Sequence, residues 1–159
     1  MAIIGMSCRI PGAPDIDSFW NLLKNGDVVV REFSTEECIA SGYDHSTVND
    51  AAFVKRGALL DEPENFDARF FGYTPHEAEL LDPQQRILLE CSYNAMENSG
   101  YDLRDVSEPT GVFCGSGINN YLLRKILSKK ASYEEILDFQ TIISNDKDYL
   151  ASRISYKLG

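Results

Sequence analysis

The stretch LDPQQRILLECSYNAMENSG, Leu81 to Gly100, constrains what this chain can fold into more than any other. Asp82 is a good N-cap because its carboxylate can accept from the first free amides of a helix. Pro83 suits the first helical position, where its fixed φ is correct and its missing amide costs nothing. Gln85 falls three residues after the cap, where its side-chain amide can return the hydrogen bond. The helix is predicted to run to about Ser99, with Gly100 ending it. Leu88, Cys91 and Ala95 share one face, and Leu89, Tyr93 and Met96 the adjoining one. An apolar sector this wide needs cover on more than one side, so the helix belongs inside a layered structure and Cys91 reads as core.

The remaining patterns surround that helix with an α/β arrangement. Ala2 to Ile10 reads as a short buried strand followed by the turn signal PGAPD. DIDSFWNLLKNG places Phe19, Leu22 and Leu23 at helical spacing, with Asp15 or Asp17 as cap, Gly26 as stop and Trp20 half-buried. Ser34 and Glu37 have capping-box spacing and predict a short helix. Tyr43 to Ala52 is polar and reads as a loop, and FVKRGALL as a strand or extended arm. Thr110 to Cys114 is the next strand and Gly115 to Asn119 the turn after it. Asn119 or Asn120 then caps a helix bearing Leu122, Leu123, Ile126 and Leu127, and a further helix spans about Ser144 to Leu158. Strands alternating with helices predict an α/β fold in which helices cover a sheet. Only two or three strands are visible, so the sheet looks incomplete.

Composition narrows the function classes. A chain of 159 residues has room for one domain and, folding alone, for burying roughly 70% of its unfolded surface. A formal net charge of −10 argues against nucleic-acid binding, which needs clustered cations to release counterions. No apolar run approaches the roughly 18 residues of a membrane span, and no basic leader precedes an apolar core, so the expected address is the cytoplasm. Arg124, Lys125, Lys129 and Lys130 form a basic cluster that is either a solvated helix face or a docking point for an acidic partner. Cys8, Cys38, Cys91 and Cys114 lie far apart, with His45 and His76 the only histidines, and this spacing gives zinc no support.

TGVFCGSG, Thr110 to Gly117, poses the question of a nucleophile. Cys114 ends a strand beside a glycine turn, where backbone amides and a helix start can stabilise a thiolate, yet it needs a base, and no motif ties His45 or His76 to it. The alternative is a small residue packed at a strand end. The glycines of GSG lack the third glycine of a dinucleotide loop and the GK[ST] of a P-loop, so close packing explains them more simply. The acid pairs Glu36 with Glu37, Glu77 with Glu79, and Glu134 with Glu135 have no apolar flanks to raise a pKa and read as solvated.

Four stretches taken together, AIIGMSCRIPGAPDIDSFWNLLKNG, FDARFFGYTPHEAELLDPQQRILLECSYNAMENSGY, TGVFCGSG and NDKDYLASRISYKLG, resemble the N-terminal part of a β-ketoacyl synthase domain of the modular polyketide synthase type. The resemblance spans nearly the whole chain, and FDARFFG followed by DPQQR is its most specific element. It implies a thiolase-like α/β/α/β/α fold, of which this chain is part of the N-terminal half, a homodimer, and decarboxylative Claisen condensation of acyl and malonyl-type units, the chemistry of polyketide and fatty acid biosynthesis. The implied partner is an acyl carrier protein bearing phosphopantetheine, with no cofactor held by this segment.

The resemblance also assigns residues. The family's nucleophilic cysteine and two histidines follow the segment that NDKDYLASRISYKLG resembles, so no catalytic residue is expected here and all three are expected beyond Gly159. The residue after GSG lies beside the acyl pocket in related enzymes and is Ile118 in this chain, with a core role for Ile118 the alternative. Phe139 to Ile143 resembles a stretch that approaches the dimer interface. Glu77 and Glu79 replace the basic residues that precede the corresponding helix in discrete fatty-acid enzymes, so that carrier-docking site is not carried over. The segment is thus expected to supply scaffold, part of the acyl pocket and part of the dimer contact, and to be inactive alone. The rivals are an inert interaction module that docks to a larger synthase and a thiol hydrolase built on Cys114. Strand edges left without neighbours predict self-association of the isolated chain.

Overall fold

The structure, a computed structural model, describes residues 2–102, 109–127 and 138–159. The chain divides into two compact units, one of Arg9–Asp61 and one combining Met1–Cys8 with Glu62–Gly159.

The Arg9–Asp61 unit is built from short, locally capped pieces. Pro11 and Gly12 form a turn in which the Ala13 amide donates to Ile10 O at 3.0 Å, and Gly12 takes a φ of 74° that a side chain would resist. Helix α1 (Ile16–Asn25) starts at Asp15, which accepts from the Ser18 amide at 2.8 Å, and ends at a left-handed Gly26. Trp20 is 59% exposed rather than half-buried, and no residue of α1 is fully buried. Strand β1 (Arg31–Glu32) pairs antiparallel with β2 (Arg56–Gly57), the only sheet among the described residues. Between them α2 (Thr35–Ala40) has the predicted capping box of Ser34 and Glu37. The stretch read as a polar loop contains one helical turn, α3 (His45–Val48), because Asp44 accepts from the Thr47 amide at 2.7 Å. Ala13, Cys38 and Val48 are buried.

The second unit holds the long helix. Helix α4 (Pro75–Leu80) is opened by a capping box of Thr74 and Glu77, and α5 (Pro83–Ser99) runs as predicted between Asp82 and a left-handed Gly100. After a π-helical turn at Leu122–Ile126 come α6 (Phe139–Asn145) and α7 (Leu150–Leu158). Where a single helix is expected over Ser144 to Leu158, the structure has the last turn of α6, a 3-10 turn and then α7. Asp146 breaks it by accepting from the Asp148 amide at 3.0 Å and starting a short 3-10 turn, Lys147–Tyr149.

Phe71, Leu89 and Ile154 form the core of this unit, with Phe66, Tyr73, Tyr93 and Val112 packed around them. Phe66 stacks on Phe71 at 5.5 Å, and Phe70 meets Tyr93 edge-on at 4.9 Å. FDARFFG thus supplies an aromatic wall to α5. Cys91 is half-buried on that helix rather than part of the buried core the sequence suggests.

Ala2 to Ile10 and Thr110 to Cys114 differ from expectation. Neither forms a paired strand, apart from the isolated bridge of Ile10 with Ala13. β-propensity measures fit to a pleated surface between neighbours, and among the described residues no segment offers the backbone groups of Ala2 to Gly5 or Gly111 to Cys114 a ladder. Val112 still faces the core while Phe113 is 96% exposed, so the strand-like alternation persists without the strand. Gly5 crosses α5 so closely that an added Cβ would lie 2.2 Å from Ala95 O. The neighbouring Met6 amide donates to Asn98 Oδ1 at 3.0 Å.

Candidate functional site

Ile118 opens onto a cleft of about 470 Å³ whose other walls include Asp82, Ser116, Asn119, Asn145 and Lys147. Its side chain is 80% exposed among the described residues. The residues on both sides of Ile118 are hydrogen-bonded to distant partners. The Gly117 amide donates to Gln84 Oε1 at 2.9 Å, and Gln84 Nε2 in turn donates to Asp82 Oδ2 at 3.2 Å. On the other side Asn119 Nδ2 donates to Asn145 O at 2.9 Å and to Asn145 Oδ1 at 3.0 Å. Asn119 Oδ1 accepts from the Leu122 amide at 2.8 Å, which makes Asn119 the predicted cap.

The base of the cleft is a buried polar network. Asn145 Nδ2 donates to Leu80 O and to Thr141 O, both at 2.9 Å, and the Asp82 amide donates to Ser144 O at 3.1 Å. Burial pushes the Asp82 carboxyl above its ordinary value, against the downward pull of the Gln84 bonds and the Arg86 charge. Arg86 is buried one turn along α5, where it donates to Glu64 O at 3.2 Å. The cleft is lined mainly by polar and charged groups, with Ile118 its one apolar side chain among the described residues.

Cys114 lies outside that network and is exposed. Desolvation pushes its thiol up, away from the thiolate, and among the described residues no histidine or carboxylate hydrogen-bonds it. Sequence patterns made it a doubtful nucleophile, and the structure gives it neither a lowered pKa nor a base.

The acid pairs have structural work. Glu37 and Glu77 return hydrogen bonds to the Ser34 and Thr74 amides, both at 2.8 Å, and Glu37 also pairs with Arg31 at 2.9 Å. These bonds hold both carboxyls below their ordinary range. Glu134, Glu135, Lys129 and Lys130 lie outside the described residues, so the basic cluster is described only at Arg124 and Lys125. Among the described residues no group of three or more His, Cys, Asp and Glu side chains could hold a metal ion. No helix there is long and apolar enough to cross a membrane. On α6, Phe139 points outward and is 71% exposed.

Sequence reasoning missed Gln84, Asn145 and Arg153 and misread Gln85. Gln85 Oε1 accepts from Arg153 Nε at 2.7 Å and its Nε2 donates to Asp146 O at 3.2 Å, so it never reaches back to the cap. Arg153 also donates to Tyr73 OH at 3.1 Å and to Ile143 O. Only the position of Gln84, two residues after the Asp82 cap, was a local signal. The other partners are set by contacts far apart in sequence.

Comparison with known proteins shows the family. The chain matches the family described as β-ketoacyl synthase, N-terminal domain, over residues 1–159. It is 39% identical over 162 residues to a subunit of the phenolphthiocerol/phthiocerol polyketide synthase of Mycobacterium tuberculosis, covering 98% of this chain and 11% of that protein. It is 32% identical to polyketide synthase PksN of Bacillus subtilis, covering all of this chain and 3% of that one. Among solved structures it resembles ketosynthase twelve of the bacillaene polyketide synthase of Bacillus amyloliquefaciens, with a TM-score of 0.82, 29% identity, and 99% of this chain against 27% of that one. A ketosynthase from module 6 of the Bacillus subtilis bacillaene synthase gives 0.72 and 32%, over 99% of this chain and 24% of that one. The chain therefore spans about a quarter of those ketosynthases, and its helices and extended segments are part of their thiolase-like α/β fold. It belongs to the β-ketoacyl synthase family, as the N-terminal ketosynthase portion found in polyketide synthases.

Proposed function

We propose that this chain is the scaffold and acyl-pocket portion of a ketosynthase that condenses acyl and malonyl-type units on carrier proteins. The observation that carries the reading is the family match over residues 1–159, which places Ile118 directly after the GSG turn. In the complete domain an acyl group passes from the phosphopantetheine thiol of an acyl carrier protein to a cysteine beyond Gly159, releasing that thiol. The malonyl-type unit then loses carbon dioxide, and the freed electron pair attacks the acyl carbon and expels the cysteine thiolate. Two histidines, also beyond Gly159, polarise the thioester carbonyl and assist decarboxylation. Ile118 borders the acyl chain during both steps. The exposed Phe139 belongs to the stretch that meets the second subunit of a homodimer, and the domain works in the cytoplasm.

Intact mass after incubation with an acyl thioester tests the proposal. The complete ketosynthase should gain one acyl group, mapped to a cysteine beyond Gly159, while the 159-residue chain gains none. Acylation of the chain that Cys114→Ala abolishes would overturn the assignment. A complete protein lacking that downstream cysteine would favour the inert docking module.

A further inference from the structure

Helix α6 is built the wrong way round for a surface helix. Its buried face carries the polar residues Thr141, Ser144 and Asn145. Phe139, Ile142 and Ile143 share the opposite face, where Phe139 is 71% and Ile142 39% exposed. Hydrophobic burial alone would turn the helix over, and its seven residues have little stability of their own to resist that. What holds it is its carboxyl end. The last carbonyls of a helix lack partners within it, and here other parts of the chain supply them. Ile143 O accepts from Arg153 of α7, Ser144 O from the Asp82 amide at 3.1 Å, Asn145 O from Asn119 Nδ2 at 2.9 Å and Asp146 O from Gln85 Nε2 at 3.2 Å. Asn145 Nδ2 adds a bond to Leu80 O of α4 at 2.9 Å. Bonds to α4, α5, α7 and the turn after GSG thus keep the polar face inward.

We propose that Gln85 and Asn119 are positioning residues that hold α6 inside out, so that Phe139, Ile142 and Ile143 stand as a preformed contact for a second copy of the ketosynthase. This rests on the reading of that stretch as part of the homodimer contact and goes beyond it, because both positioning residues lie outside α6. Charge favours a second copy as the occupant. An isologous contact sets a patch against itself, so any charge on the patch meets its like. No charged residue lies between Asp138 and Asp146, in a chain that carries 25 acidic and 15 basic side chains. A strongly acidic or basic partner finds no complement on such a face. A helix already fixed in its bound orientation also loses less freedom on association than one that must first turn over.

The test uses the complete ketosynthase and follows subunit exchange between light and isotopically heavy copies by native mass spectrometry. Phe139→Glu reports on the contact itself and should speed exchange most. Gln85→Glu keeps the oxygen that accepts from Arg153 Nε but removes the donor to Asp146 O. Asn119→Asp keeps the oxygen that caps the Leu122 amide but removes the donor to Asn145 O. Each should speed exchange about five-fold, the equivalent of one lost hydrogen bond. Leu89→Val, a core change outside α6, separates positioning from general stability, because it should lower the urea midpoint and leave exchange unchanged. Faster exchange in Phe139→Glu with parent rates in Gln85→Glu and Asn119→Asp would overturn the positioning role and leave the contact intact. Exchange that tracks the urea midpoint across all variants, Leu89→Val included, would overturn that role as well. A monomeric parent, or an unchanged rate in Phe139→Glu, would remove the contact reading and the inference with it.

Discussion

Asp44 and Asp82 both cap helices, yet their surroundings move them in opposite directions. Asp44 is exposed and accepts from Ser46 Oγ at 2.6 Å and the Thr47 amide at 2.7 Å, which lower its carboxyl to about 2. A carboxyl depressed in the folded state stabilises the fold above its unfolded value, ~3.9, and that contribution is lost as pH falls through the folded value. An asparagine in place of Asp44 would keep an oxygen for the Thr47 amide but would not titrate. The stability of Asp44→Asn, followed by urea midpoint, should therefore fall less steeply than the parent's between about pH 4 and pH 2. Asp82, raised by burial, has the reverse sign and loses stabilisation as pH rises through its own window. Gly5 presents a steric case. A methyl there would meet Ala95 O at 2.2 Å and Ser99 Cβ at 2.9 Å, and the carbonyl belongs to a helix that cannot step aside. Gly5→Ala should cost about 1–3 kcal/mol, read from the same urea midpoint at fixed protein concentration.

Helix α5 was legible in sequence because its limits are local: the Asp82 cap, Pro83 and Gly100 all act within a turn of the ends they define. Asp15, Ser34 and Thr74 open their helices for the same reason. What escaped the sequence depends on distant partners. Gln85 has capping-box spacing but is drawn into the interior by Arg153, 68 residues away, and by Asp146 O. The Asn119–Asn145 anchor of the candidate site joins residues 26 apart, for which no spacing rule exists. The strands at Ala2 to Ile10 and Thr110 to Cys114 were misjudged because pairing is a property of neighbours. The guanidinium of Arg153 binds α7 to α5, Tyr73 and α6 at once, and its flat fork suits three acceptors in different directions. Lysine reaches fewer of them and leaves Gln85 Oε1, on a residue only 2% exposed, without a donor. Arg153→Lys should destabilise the chain by about 1–3 kcal/mol in urea denaturation, with the midpoint falling and α5 helicity retained below it.

Helix packing alone does not cover the apolar surface that this chain presents. Ile4 is 62% exposed and Phe113 96%, and both line a trough of about 820 Å³ with Ala95, Met96, Val112 and Leu158. The backbone groups of Gly111 to Cys114 beside that trough have no ladder among the described residues. Exposed apolar side chains next to unpaired extended backbone form a template for further strand pairing, and net charge opposes the encounter only until salt screens it. The charge of −10 is large enough for that opposition to matter. Association of the 159-residue chain should therefore grow with salt as well as with concentration. Analytical ultracentrifugation at about 10 µM and above should show oligomers that increase when sodium chloride is raised, since screening weakens like-charge repulsion and leaves apolar burial untouched. Phe113→Lys, which places a charge on the extended segment, should shift the distribution back towards monomer, whereas Tyr156→Lys, on the exposed side of α7, should shift it less. A monomer that unfolds cooperatively and independently of concentration in high salt would contradict this account. The trough would then be a stable surface of the folded chain rather than a place prepared for added strands.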